Sequence, residues 1–105
     1  MKVIDRLKHE RELVAWMRET DGMPWDWPGL VRNGGRYADR VYDSFVCDPL
    51  PCRCVIIDGW CLDDARGCPW LPWRLACDTD VPGMRRALTN LLKKLDAAIA
   101  REEAK

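Results

Sequence analysis

From Met84 onward, large apolar residues recur at Met84, Leu88, Leu91, Leu92, Leu95 and Ile99. Spacing of i, i+4, i+7 and i+8 gathers such residues on one side of an α-helix. The start of this helix is also written in the chain. Asp80 or Thr79 can cap it, and Pro82 suits the first turn, where a missing N–H does no harm. The helix is expected to run to about Ala100, with residues 101–105 as a frayed tail. Burying each large side chain of the stripe contributes roughly 1.5–3 kcal/mol, so the stripe must be covered. It fits either a domain core or the seam of a homodimer. Arg85, Arg86, Lys93 and Lys94 fall on the other faces.

The cover can come from an N-terminal helix over residues 3–19. Val3, Leu7, Val14 and Met17 share a stripe, Ile4 and Leu13 flank it, Glu10 interrupts it and Trp16 projects elsewhere. Thr20-Asp21-Gly22 ends the helix, with Gly22 suited to the left-handed conformation that follows a last turn. Residues 23–36 form a connector punctuated by Pro24, Pro28 and Gly29, in which Asp26 can cap a short turn from Pro28 to Asn33. Residues 37–47 alternate like a strand. Asp48-Pro49-Leu50-Pro51 turns the chain, since prolines cannot donate to a ladder. Residues 52–58 then read as the returning strand of a hairpin, residues 59–69 as a loop, and residues 70–77 as an irregular third strand held to an edge by Pro72. The predicted class is α+β: an antiparallel hairpin plus a third strand, with both helices packed on one face. Residues 1–105 are expected to form a single domain, and no internal repeat is present.

Seventeen basic side chains balance seventeen acidic ones, which gives no net pull toward nucleic acid or an anionic membrane. The charge is unevenly distributed: residues 46–80 lean acidic and residues 81–105 lean basic. No apolar run approaches the ~18 residues of a membrane span, and the first residues are too charged for a secretory signal. Cytoplasmic location is the resulting expectation, with thiols mostly reduced.

Six cysteines are candidates for chemistry. Structural zinc sites usually take two ligands from one tight turn, and no Cys-x-x-Cys occurs here. Cys47, Cys52, Cys54, Cys61 and Cys68 nevertheless remain candidate zinc ligands. Cys47 and Cys52 flank a four-residue turn, where a cross-strand disulfide can also form. The plain alternative is that the thiols are small buried hydrophobes. A nucleophilic cysteine needs a base, and the sole histidine, His9, lies in a charged run; Cys–His and Ser–His–Asp mechanisms are thereby close to excluded. Asp58, Asp63 and Asp64 are the acids available for a small Asp-dependent enzyme, although Asp63-Asp64 also suit a turn. Phosphate-binding glycine loops are absent. Nucleic-acid contact would rest on tryptophan stacking with Arg32, Arg36, Arg40 and Arg53.

The six tryptophans are the chain's compositional excess. Trp25, Trp27, Trp70 and Trp73 are Pro-flanked and lie in connectors or irregular segments. Trp offers large contact area at low entropy cost, so these four are the expected partner-binding patch, with Trp60 inside. The segment Cys77-Asp78-Thr79-Asp80-Val81-Pro82-Gly83-Met84, opening a Leu-rich helix, resembles small accessory proteins encoded by actinobacterial phages and their hosts; so does Arg11-Glu12-Leu13-Val14-Ala15-Trp16-Met17. The resemblance implies a phage-encoded inhibitor or modulator that binds a host protein, such as a defence or regulatory factor. The expected function is therefore a non-enzymatic protein-binding module. The alternatives are a cysteine-ligated zinc module touching nucleic acid and a small Asp-dependent enzyme.

Overall fold

In a computed structural model, residues 2–28, 47–49, 52–57, 59–60, 68–77 and 79–105 are described. Helix α1 spans Val3–Thr20 and buries Leu7, Leu13, Val14 and Met17. Glu10, in the middle of that stripe, is wholly buried as well. The helix ends on Asp21, which takes the left-handed conformation (φ 56°, ψ 21°) and donates its backbone N–H to the Met17 carbonyl. The cap therefore falls one residue before the expected Gly22. Gly22 is needed for another reason: a Cβ there would come within 2.3 Å of the Trp16 ring. Pro24–Asp26 forms a single 3-10 turn. The expected cap of Asp26 on residues 28–33, and the strand over residues 37–46, lie outside the described residues.

The region expected to be a sheet is built differently. Three short extended pieces pair antiparallel: β1 (Cys47–Pro49), β2 (Cys52–Cys54) and β3 (Gly59–Trp60). Cys47 lies opposite Cys54, Pro49 opposite Cys52, and Arg53 opposite Trp60. This ladder is too short to be a layer, and the two long helices pack on each other rather than across it. The α+β expectation is overturned: the described chain is helical, not two helices on a sheet.

Two local causes stand out. Residues 55–57 turn instead of extending, and the carbonyls of Val55 and Ile56 accept hydrogen bonds from the Arg101 guanidinium (2.9 and 3.3 Å). Residues 70–77 are not a third strand; Leu71–Ala76 is helix α2, with Pro72 in its first turn. Proline is excluded from a central ladder but tolerated there.

Helix α3 runs Val81–Glu103. Asp80 caps it, its carboxylate accepting from the Gly83 N–H at 3.0 Å. A Cβ on Gly83 would come within 2.2 Å of that carboxylate, so cap and glycine fit as a pair. Met84, Ala87, Leu88, Leu91, Leu95 and Ala98 are buried, while Leu92 and Ile99 sit half-buried at the margins. Residues 101–103 continue the helix rather than fraying.

Helices α1 and α3 form the main interface. Its polar links run in reverse order along the two helices. Arg11 pairs with Asp96, Arg18 Nε donates to Thr89 Oγ1 (2.8 Å), and Arg85 grips Asp21 with two bonds (3.0 and 2.6 Å). The helices are therefore antiparallel. Helix α2 packs against α3 beside this pair, bringing Trp70 and Trp73 into the same core as Trp27, Cys54, Val55 and Ile56.

Candidate functional site

The tryptophans expected to form a surface patch point inward. Trp27, Trp70 and Trp73 are 6, 7 and 4% exposed. Trp70 and Trp73 meet edge to face, with centroids 5.5 Å apart and an interplanar angle of 85°, the arrangement the ring quadrupoles favour. Their indole N–H groups are both buried with no acceptor. These side chains fill space left by a chain with one Phe; they are not a docking surface. Trp25 belongs to the 3-10 turn, and its side chain lies outside the described residues, as does that of Trp60.

Three cysteines have described side chains, and they differ in depth. Cys54 is a buried free thiol and Cys68 a half-buried one; Cys77 is half-buried at the end of α2. Burial pushes the Cys54 thiol up, against N–H donors from Ile57 and Ile56; Cys68 and the Glu10 carboxylate add to the rise. A thiol held protonated is a poor nucleophile and a poor metal ligand. The proposed Cys47–Cys52 bridge does not fit the ladder, because Cys47 faces Cys54 and Cys52 faces Pro49. The side chains of Cys47 and Cys52, and all of Cys61, lie outside the described residues. Among the described residues, no three His, Cys, Asp or Glu side chains gather as a metal site would require. Asp58, Asp63, Asp64 and Asp78 also lie outside them. His9 is half-buried on α1.

The surface is more informative at the corner between α2 and α3. Helical spacing turns Trp70 and Trp73 inward, and Leu75, on the opposite side of the same short helix, is left 74% exposed. Val81 is 50% exposed across the corner. A groove of about 520 Å³ runs between the two helices, with Pro72, Leu75 and Ala76 on one wall and Gly83, Arg86 and Ala87 on the other. A second, of about 520 Å³, lies between α1 and α3 and holds Arg18, Glu19, Arg85, Arg86 and Thr89. Arg86 and Asn90 line both, so they form the ridge between the two troughs.

Sequence reasoning missed Leu75 because it assigned residues 70–77 to a strand. The available signal was Pro72 two residues after Trp70: with proline in a first helical turn, Trp70, Trp73 and Cys77 share one face and Leu75 the other. Among the described residues, no helix is long and apolar enough to cross a membrane. No protein-family model, no curated protein and no solved structure matches this chain.

Proposed function

We propose that the chain is a small non-enzymatic module that binds another protein, a host factor as the phage-like resemblance of residues 77–84 implies, and modulates it by occlusion. The observation that supports this reading is Leu75, a large apolar side chain left 74% exposed on a structured helix. It stands with Pro72 and Ala76 on one wall of the groove between α2 and α3, whose far wall carries Arg86 and Asn90. Scattered surface leucines are ordinary; one that shares a groove wall with Pro72 and Ala76 at a helix corner makes a patch suited to a partner. The reading moves the contact from the tryptophans to this corner.

The test is affinity capture with the tagged full chain in the cells that produce it, beside a Leu75→Asp variant. One protein, co-eluting in fixed stoichiometry and lost with the variant while its helical circular dichroism is kept, supports the proposal. A monomeric chain that retains no protein, or a turnover activity surviving the variant, overturns it.

A further inference from the structure

We infer that the outward face of α3, together with the exposed corner of α2, is a docking surface for an acidic amphipathic helix of a partner protein. The inference rests on the protein-binding reading above and adds the surface and the partner's chemistry.

Opposite its buried stripe, α3 presents Arg86, Asn90, Lys93, Lys94 and Ala97, all exposed. Their spacing of i, i+4, i+7, i+8 and i+11 keeps them on one face, over about 16 Å of helix. No acid interrupts this series. Among the described residues Lys93 and Lys94 enter no ion pair, and Arg86 reaches only Asp80, at 3.8 Å. The other flank of the same helix differs. There Arg85 is held by Asp21 and Asp96 by Arg11. The outward face thus carries Lys93 and Lys94 with no ion partner among the described residues and Arg86 in one long pair, a net positive strip that attracts carboxylates or phosphates.

The adjoining groove decides between them. Its Leu75 and Pro72 are apolar and exposed, and Asp80 lies in the groove as well. A phosphate backbone has no apolar surface to set against Leu75 and would leave it uncovered. A helix with apolar residues along one edge and acids along the next covers both features, and Ala76, Gly83 and Ala87 are small enough to let it approach closely. A second copy of this chain fits poorly, because a two-fold contact would set this basic face against itself.

The test uses the isotopically labelled full chain and an ~18-residue synthetic peptide, long enough to be helical, with Leu at i, i+3, i+4 and i+7 and Glu on the flanking positions. Saturable amide shifts at Leu75, Arg86, Asn90, Lys93 and Lys94 are expected. Affinity should fall about tenfold or more in the Arg86→Glu, Lys93→Glu, Lys94→Glu triple variant and in Leu75→Asp. It should fall again between about 0.05 and 0.5 M salt. Leu75→Ser serves if Leu75→Asp loses its helical signal. The inference is overturned by absent or unsaturable shifts, by shifts confined to another face, by equal binding of a peptide with Lys in place of Glu, by displacement with duplex DNA, or by broadening of the same amides on concentration without peptide. If the peptide fails but the tagged chain still captures a protein whatever the α3 charges, the surface is wrong and the binding reading stands. If capture fails too, both fall.

Discussion

The α1–α3 pair and the segment between them obtain order in different ways. The pair is made of two long helices whose buried residues recur at local spacing, joined by polar links that repeat down the seam. Among the described residues, the middle is made of three extended pieces of three, three and two residues, a turn and a six-residue helix. Its core side chains keep 2–9% exposure, whereas the most deeply buried ones all belong to the pair, and its described backbone is tied to α3 by side-chain donors. Arg101, reaching from α3 to the carbonyls of Val55 and Ile56, is the clearest of these ties. Periodic elements carry their own instructions; irregular ones borrow theirs from whatever they pack against.

The sharpest way to break this contrast is to open the seam. Leu95, fully buried, should cost about 2–5 kcal/mol as Leu95→Ala, read by denaturant unfolding of the helical signal. Both regions should melt together. Persistence of tryptophan burial in the variant would show that the middle stands by itself.

Cutting the tie comes next. Arg101→Ala removes two donors from partly buried carbonyls and should cost about 1–3 kcal/mol. Alkylation of Cys54 should also become faster than global unfolding, because the middle can then open alone. An alkylation rate that still tracks global unfolding would make the two regions one cooperative unit. Cys54 also sets an alkaline limit. Its proton is held in the folded chain and released from the unfolded one above about pH 8.5. Stability should therefore fall as pH rises past that value, and a Cys54→Ala variant should lose this dependence.

A smaller effect is expected at Trp73. Trp73→Phe shrinks a buried ring but also removes an indole N–H that has no acceptor. The two consequences oppose each other, so the change should stay within about 1 kcal/mol. A loss several times larger would mean that the N–H meets an ordered water, to be sought in a crystal structure.

The smallest effect lies at the surface of the seam. Arg85 holds the Asp21 carboxyl below its usual range, chiefly through the hydrogen bonds. A depressed acid stabilises the fold above its unfolded value of about 3.9 and loses that contribution as pH falls through the lower folded value. Arg85→Ala should flatten the acid limb of the stability curve below about pH 4, with little change at neutrality. An unchanged acid limb would mean the pair contributes nothing in solution, as many exposed pairs do.

The sequence was legible where spacing was local. Met84 to Ile99 announced α3, Asp80 and Pro82 announced its start, and Leu7, Val14 and Met17 announced α1. It was illegible where a residue answers to something distant. Val55 and Ile56 have every mark of a strand, yet they turn toward Arg101, 45 or more positions away. Trp70 to Cys77 is too short for periodicity to separate helix from strand, and that single choice carried the candidate site with it. Read as a strand, the segment exposed its tryptophans; as a helix it buries them and leaves Leu75 outside.

The antiparallel seam has a consequence for biosynthesis. About sixty residues separate the end of α1 from the start of α3. At roughly 5–20 residues per second on the ribosome, Leu7, Leu13, Val14 and Met17 emerge several seconds before Leu88, Leu91 and Leu95 exist to meet them. During that interval the nascent chain carries a greasy helix with no mate, which is what chaperones bind. Moving α3 to the front by circular permutation would let the two helices meet early, and should reduce the need for such help more than any change in the middle.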